Sequence, residues 1–191
     1  MDSLGILDRR LMSHIVSLLH LLSTIPKAKE MHLWINLTDF YFLEDYDSDP
    51  HFAEDARFPM LGSETAEIAI RARRQLRGVC GGLVEAGNAD DLEFIHRSVG
   101  DFFIQENVRI EMRNESFHCM EALSQLKLAS IKHYWWDVEQ QNGTKDDQRR
   151  KTEEESLSRH SILVACLIEQ RRRLRLDTPP FGFLECMDDI P

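Results

Sequence analysis

The sequence predicts a mainly helical fold with one small β-hairpin. Two long segments, residues 6–24 and 117–136, carry apolar side chains at spacings of three and four, which is the period of an amphipathic helix. Between them, short apolar runs at residues 83–86 and 92–95 flank a polar turn, as in a hairpin. With 191 residues, the chain can form one ordinary domain, or a small domain plus a helical extension.

The first third of the chain is expected to form a core helix and an acidic loop. The apolar stripe of the helix consists of Leu11, Ile15, Leu18, Leu19 and Leu22. Residues 31–43 form a second apolar run whose mixed spacing favours helix over strand. Residues 39–67 then hold nine carboxylates against the single base Arg57, and their prolines and glycine predict a loop.

The clearest amphipathic helix follows this acidic segment. Ser63 can cap its start, and Gly81 stands where a C-terminal glycine cap would end it. The predicted buried face consists of Ile68, Ala72, Leu76 and Val79. The basic residues fall largely on the other faces, at Arg71, Arg73, Arg74 and Arg77. Because a hairpin comes directly after this helix, the order is that of the end of a winged helix.

Later signals complete the predicted organisation. Ser98 followed by Asp101 is a capping signature for a helix that buries Val99, Phe102 and Phe103. Residues 140–155 lack large apolar side chains and predict a polar linker. We therefore expect four parts, which are a winged-helix-like unit at 1–105, a helical extension at 106–139, the linker at 140–155, and a C-terminal helix and tail at 156–191.

Motif spacing argues against a catalytic, cofactor or metal site. The cysteines form no C-x-x-C pair, and the histidines form no H-E-x-x-H motif. Neither a phosphate-binding glycine loop nor a G-x-S-x-G elbow occurs. Asp45-x-Asp47-x-Asp49 opens like a calcium loop, but Pro50 and Ala56 stand where glycine and a bidentate carboxylate are needed. We expect a non-enzyme with no cofactor, no metal and no small-molecule ligand.

Charge and hydropathy make membranes and nucleic acids poor partners. The formal net charge is -10 at pH 7, which repels polyanions. The most apolar stretch, residues 11–25, is interrupted by polar residues and is shorter than the ~20 residues of a membrane span. The N-terminus lacks the pattern of a signal peptide, so a cytoplasmic location is expected.

DNA binding is the alternative that the winged-helix pattern keeps open. In that interpretation, the arginines of the amphipathic helix would contact phosphates or base edges, and the hairpin would contact the DNA backbone. The acidic segment upstream opposes it, as do four carboxylates of the hairpin region, Glu85, Asp90, Asp91 and Glu93.

Three motifs in series resemble a known family. Residues 74–85 read RQLRGVCGGLVE, residues 94–102 read FIHRSVGDF, and residues 42–53 read FLEDYDSDPHFA. Together they resemble the region just downstream of the NACHT module in fungal STAND-type NTPases. The resemblance extends from about residue 11 to 103, and more weakly to 176.

The resemblance implies a non-catalytic regulatory neck between an ATPase motor and a C-terminal sensor, which is often built of repeats. The family's ATP-binding residues have no counterpart in this sequence. Gly100 departs from the pattern, which has an arginine or another large polar residue there. His96 and Arg97 are candidates for an intramolecular polar contact, although a hairpin-to-helix junction would explain them equally well.

The expected function is therefore regulation or interaction through protein contacts. The partner would be a NACHT-bearing or repeat-bearing chain, or a second copy of this chain. Open apolar faces are expected on the first helix around Leu18 and Leu22, and on the last predicted helix around Leu163 and Leu167. The candidate interaction residues are Arg71, Arg73, Arg74, Arg77, His96 and Arg97.

Overall fold

A computed structural model describes residues 2–25, 34–55, 58, 65–88, 90–105, 108 and 117–141. Its helices are α1 (Asp2–Thr24), α2 (Leu37–Tyr41), α3 (Leu43–Ser48), α4 (Thr65–Cys80), α5 (Arg97–Ile104) and α6 (Cys119–Gln141). Strands β1 (Val84–Ala86) and β2 (Leu92–Phe94) pair antiparallel, and a 3₁₀ turn spans Phe52–Glu54. The predicted mainly helical fold with a small hairpin is confirmed. The last predicted helix and residues 142–155 of the predicted linker lie outside the described residues.

Helix α1 is the central core helix that its stripe predicts. Leu11 and Ile15 are fully buried. The expectation of an open apolar face around Leu18 and Leu22 is wrong, because these side chains are only 0% and 8% exposed. Helix α1 contacts α4, α5 and α6. Apolar side chains outside its predicted stripe are therefore covered by these neighbouring helices. Leu163 and Leu167 lie outside the described residues.

The run at residues 31–43 changes from extended chain to helix. The Leu92 amide donates to the Ile35 carbonyl at 2.7 Å, and the Leu37 amide donates to the Asp90 carbonyl at 3.0 Å. A bridge between Asn36 and Asp91 lies between these bonds. A helix throughout this run was therefore the wrong prediction for residues 34–36. The extended segment, β2 and β1 lie side by side in that order, with α1, α2 and α4 around them. This arrangement is that of a winged helix.

The acidic segment is helical where a loop was expected. Residues 39–41 lie in α2 and residues 43–48 in α3, and the 3₁₀ turn follows them. The helices are five and six residues long, and they break at Phe42, so each is too short to display a helical period. Several of their carboxylates bind other elements; Glu44, for example, accepts a hydrogen bond from Gln75 in α4 at 2.5 Å.

The predicted end of α4 and the hairpin after it are confirmed. Helix α4 ends at Cys80, and Gly81 takes a φ of 54°, which is the left-handed conformation that favours glycine at a helix end. In the hairpin, Val84 pairs with Phe94 and Ala86 pairs with Leu92. The buried side chains of Val84 and Leu92 fix which face of the hairpin meets the core.

Helix α5 begins differently from the prediction. Its N-cap is His96, whose Nδ1 accepts from the Ser98 amide at 3.2 Å, so Ser98 itself is not the cap. Phe103 is buried and Val99 packs partly against the core. Phe102 was expected to be buried but is 50% exposed. On a helix of eight residues, adjacent phenylalanines point in different directions, and only one of them faces the core.

Helix α6, expected as an extension of the winged-helix-like unit, packs into the same apolar core. Leu123 and Leu126 are fully buried and belong to one cluster with residues of α1 and α2. Polar bonds strengthen this packing, since Lys132 Nζ donates to the Ala53 carbonyl at 2.8 Å and Gln125 Nε2 donates to Glu54 Oε1 at 2.5 Å.

A buried ion pair joins α6 to the start of α2. The Asp39 side chain is fully buried and Lys127 is 6% exposed. Asp39 Oδ2 accepts from Lys127 Nζ at 2.5 Å and from the Asn36 amide at 2.8 Å, while Oδ1 accepts from Ser130 Oγ at 2.7 Å. The Asn36 side chain in return accepts from the Asp39 amide at 2.9 Å, which completes a capping box.

Replacing Lys127 with methionine should strongly destabilise the protein, because the Asp39 carboxylate would stay buried without its cation. We expect a loss of about 3–5 kcal/mol in the free energy of unfolding, measured by urea denaturation. Adding Asp39→Asn to Lys127→Met should recover part of that loss. Lys132→Met, which removes a lysine that binds the Ala53 and Asp55 carbonyls, is the matched control and should cost about 1 kcal/mol. An unchanged urea midpoint for Lys127→Met would contradict this account of the core.

Candidate interaction surface

The exposed face of α4 carries the arginines that the sequence singled out. The predicted buried face is confirmed, because Ile68, Ala72, Leu76 and Val79 are all buried. The opposite face is exposed at Arg71, Arg74 and Arg77. Ile70 lies on that face and is 53% exposed. The helix therefore presents cations together with an aliphatic side chain.

The four arginines of α4 have different roles. Arg73 is half-buried and donates from Nη2 to Asp90 Oδ1, which ties the helix to the tip of the hairpin. Asp90 has a φ of 62°, and its amide donates to the Gly87 carbonyl at 3.1 Å while its carbonyl accepts from the Leu37 amide at 3.0 Å. Arg71 lies 3.6 Å from Glu67 in an exposed pair one turn apart, which is worth only a few tenths of a kcal/mol. Arg74 and Arg77 form no ion pair with any residue that the structure describes.

Two contacts on the flanks hold α4 in place. Arg73 binds the hairpin on one flank, and Gln75 Nε2 donates to Glu44 Oε1 of α3 at 2.5 Å on the other. The buried stripe of α4 packs against α1 and α2 between these flanks. The backbone that carries Arg74 and Arg77 is therefore held in place, and a fixed backbone lowers the entropy cost of binding a partner.

His96 and Arg97 serve the start of α5. His96 Nδ1 lies 2.8 Å from Ser98 Oγ as well as capping the Ser98 amide. The Arg97 side chain is 91% exposed and lies 3.8 Å from Asp101 one turn ahead. Both contacts are local, so the hairpin-to-helix junction is the interpretation that the geometry favours. Among the described residues, neither His96 nor Arg97 has a long-range polar contact.

Gly100, the departure from the family pattern, lies against the hairpin. A Cβ built at this position would lie 3.2 Å from Cδ2 of the Phe94 ring. Phe94 in turn stacks on Phe103 with ring centroids 5.9 Å apart. A larger residue at position 100 would therefore require the Phe94 ring to move by a few tenths of an ångström. The glycine therefore lets α5 and β2 approach closely.

The outer face of the hairpin combines two of the carboxylates that the sequence singled out with exposed aliphatic side chains. Glu85 and Glu93 are cross-strand partners, and both are exposed. Beside them, the Ile95 amide donates to the Leu83 carbonyl at 3.2 Å, and these aliphatic side chains are also exposed. The period-2 pattern of the strands could have revealed this face, since it alternates with buried Val84 and Leu92.

A second buried polar group centres on His14. Its ring stacks on Phe117 with centroids 3.8 Å apart and planes 6° apart. His14 Nδ1 lies 3.4 Å from Asp47 Oδ1, and Arg10 Nε lies 2.5 Å from Asp47 Oδ2. Burial lowers the pKa of His14 to about 4, although the Asp47 carboxylate acts in the opposite direction. His14 is therefore neutral at physiological pH and serves the packing of α1 on α3.

The nucleophilic and metal-binding side chains do not form a reactive site among the described residues. Burial raises the pKa of the Cys80 thiol to about 11, and it also raises the pKa of Cys119, so both stay protonated and weakly nucleophilic at neutral pH. Nowhere in the described ranges do three His, Cys, Asp or Glu side chains come together as a metal site. None of the described helices is both long enough and apolar enough to cross a membrane.

The comparisons with known proteins add no relative. Scans against protein-family models, curated proteins and solved structures found no match to this chain.

Stability should fall in mild acid because of His14. The unfolded chain binds a proton at this histidine near pH 6.5, whereas the folded chain resists protonation until about pH 4. The free energy of unfolding should therefore decrease as the pH falls through this window, by roughly 3 kcal/mol at its lower end. His14→Phe, which keeps a ring against Phe117, should flatten the decrease in chemical denaturation at stepped pH. His118→Gln, at an exposed site, is the control and should follow the wild type. Equal slopes for wild type and His14→Phe would refute the assignment.

Proposed function

We propose that this chain is a non-catalytic interaction module that binds a protein partner through the exposed face of α4. The most direct support comes from α4, where Arg74 and Arg77 are exposed near exposed Ile70. Contacts by Arg73 and Gln75 hold this helix in place on both flanks. Arginine beside apolar surface is a composition enriched in protein interfaces.

The resemblance to the region downstream of NACHT modules supplies the proposed context. In that context, the chain acts in the cytoplasm as a regulatory neck, and the partner is a NACHT-bearing or repeat-bearing protein or a second copy of this chain. The winged-helix order of α1, the 34–36 segment, α2, α4 and the hairpin supports this proposal. The buried, protonated thiols are consistent with a role that involves no catalysis.

The hairpin weighs against DNA as the partner of α4. In a DNA-binding winged helix, the hairpin would lie along the phosphate backbone. Here its outer face presents Glu85 opposite Glu93, and Arg73 is already paired with Asp90 at its tip. Arg74 and Arg77 would have to outweigh these carboxylates in a chain with a net charge of -10.

We expect no specific or tight binding to duplex DNA. Fluorescence anisotropy with a labelled mixed-sequence duplex should give no sub-micromolar affinity at physiological salt. A contact to about two phosphates would also show a log–log salt slope near 2, which is easily screened. Sub-micromolar binding that is lost in Arg74→Glu/Arg77→Glu would favour the DNA-binding alternative over a protein partner.

Capture from an extract tests the proposed surface itself. The wild-type chain and Arg74→Glu/Arg77→Glu would be used as baits, and retained proteins would be quantified by mass spectrometry. Arg9→Glu/Arg97→Glu changes the net charge equally at exposed sites outside this face, and it serves as the matched control. We expect proteins retained by wild type and control to fall about tenfold or more with Arg74→Glu/Arg77→Glu. Identical sets for all three baits would exclude the face of α4 as the contact surface.

The isolated chain should not bind nucleotide, because the sequence has no phosphate loop with its lysine. Calorimetric titration with Mg-ATP should show no saturable heat. Saturable micromolar binding would contradict the assignment of this chain as a non-catalytic module.

A further inference from the structure

Two exposed patches of opposite charge lie on the described part of the chain. The first, here called the arginine stripe, consists of Ile70, Arg74 and Arg77 on α4. The second, the glutamate face, is the outer side of the hairpin and consists of Leu83, Glu85, Glu93 and Ile95. Each patch combines two like charges with exposed aliphatic surface.

The glutamate face is costly for an isolated hairpin. Glu85 and Glu93 are directly opposite in the register, where side chains on one face lie about 5 Å apart at Cβ. Like charges at such positions destabilise a strand pair. Leu83 and Ile95 are 36% and 52% exposed next to them. A cationic partner with an apolar residue would relieve the repulsion and cover the aliphatic pair.

The charges of the two patches are not neutralised within the described part of one copy. Arg74, Arg77, Glu85 and Glu93 form no ion pair there. The hairpin and α4 are joined instead through Arg73 and Asp90, and this contact uses neither patch. Both patches are therefore available to a second molecule.

The distance from the aliphatic end to the first charge is similar in the two patches. Along α4, the distance from Ile70 is about 6 Å to Arg74 and about 10 Å to Arg77. Along the hairpin, the aliphatic pair and the glutamate pair are two residues apart, which is about 7 Å. An aliphatic end and a charged end can thus align in both patches at the same time.

We propose that the arginine stripe of one copy binds the glutamate face of a second copy of this chain. This inference rests on the proposed function, in which α4 is the contact surface, and it names the partner as the chain itself. Charge complementarity and the similar spacing support it. Arg74 and Arg77 of one copy would pair with Glu85 and Glu93 of the other, and Ile70 would cover Leu83 and Ile95.

Sedimentation velocity on the full chain over a concentration series tests the pairing. We expect wild type to associate with increasing concentration. Arg74→Glu/Arg77→Glu and Glu85→Lys/Glu93→Lys should each weaken association about tenfold or more, because each places like charges against each other across the contact. Glu85→Lys/Glu93→Lys keeps two like charges opposite each other across the strands, so we expect its hairpin to be about as stable as that of the wild type. Circular dichroism and thermal melting would verify that both variants are folded.

Mixing the two variants provides the decisive measurement. Alone, each has patches of one sign only, whereas in the mixture an acidic stripe meets a basic hairpin face. The mixture should therefore recover association to about the wild-type level, and Arg9→Glu, at an exposed site on α1, should associate like wild type.

Three results would overturn the inference, namely a wild-type chain that stays monomeric at every concentration, variants that associate as strongly as wild type, or a mixture that stays monomeric. A monomeric wild type that still captures another protein through Arg74 and Arg77 would overturn the pairing between copies and leave the proposed function standing. Capture that is unaffected by Arg74→Glu/Arg77→Glu would count against the proposed function.

Discussion

The buried carboxylate of Asp39 is the constraint on which the described structure depends most. A carboxylate removed from water requires a cation and several donors, and here it has Lys127, Ser130 and the Asn36 amide. Lys127 lies 88 residues further along the chain, so this requirement fixes one position of α6 against the start of α2. Apolar packing alone would tolerate small sliding of helices, whereas an ion pair with defined donors selects one register.

This constraint determines how α4 is displayed. Because Asn36 caps α2 and also bridges to Asp91, the start of α2 lies beside the hairpin as well as beneath α6. Helix α2 in turn packs on α4, and the hairpin binds α4 through Arg73. The positions of the exposed arginines are therefore set by a chain of contacts that leads back to a single buried acid.

Local signals predicted the fold well where they were strong. Helix α1, helix α4, its glycine cap at Gly81 and the hairpin each follow from a period or from one residue's conformational preference. The same signals failed at residues 34–36, which are extended, and at residues 44–48, which are helical. There the chain pairs with a strand about 55 residues away, and the acids are held by partners from other elements.

The missed contacts share one physical cause. Asn36 followed by Asp39 is readable as a capping pair, but nothing local indicates that Lys127 will neutralise the acid. In the same way, the tie between Arg10 and Asp47 and the stacking of His14 on Phe117 join residues that are far apart in sequence. Sequence reasoning counted the acids of this segment as a solvated loop because charge patterns carry no information on distant partners. It identified the arginines of α4, but only the structure separates Arg73, which holds the hairpin, from Arg74 and Arg77, which do not.

The acidic side chains of the described structure differ in whether they pair with a cation from another element. Asp39, Asp47 and Asp90 are used internally, where they bind a lysine or an arginine of another element. Glu85 and Glu93 are the contrast, since they stand opposite each other with no such use in the described structure. Cross-strand repulsion of this kind costs a few tenths of a kcal/mol to about 1 kcal/mol, and either glutamate could be replaced without disturbing the core. In the proposed pairing between copies, this cost is offset by Arg74 and Arg77 of the second copy, which form no ion pair among the described residues of their own copy.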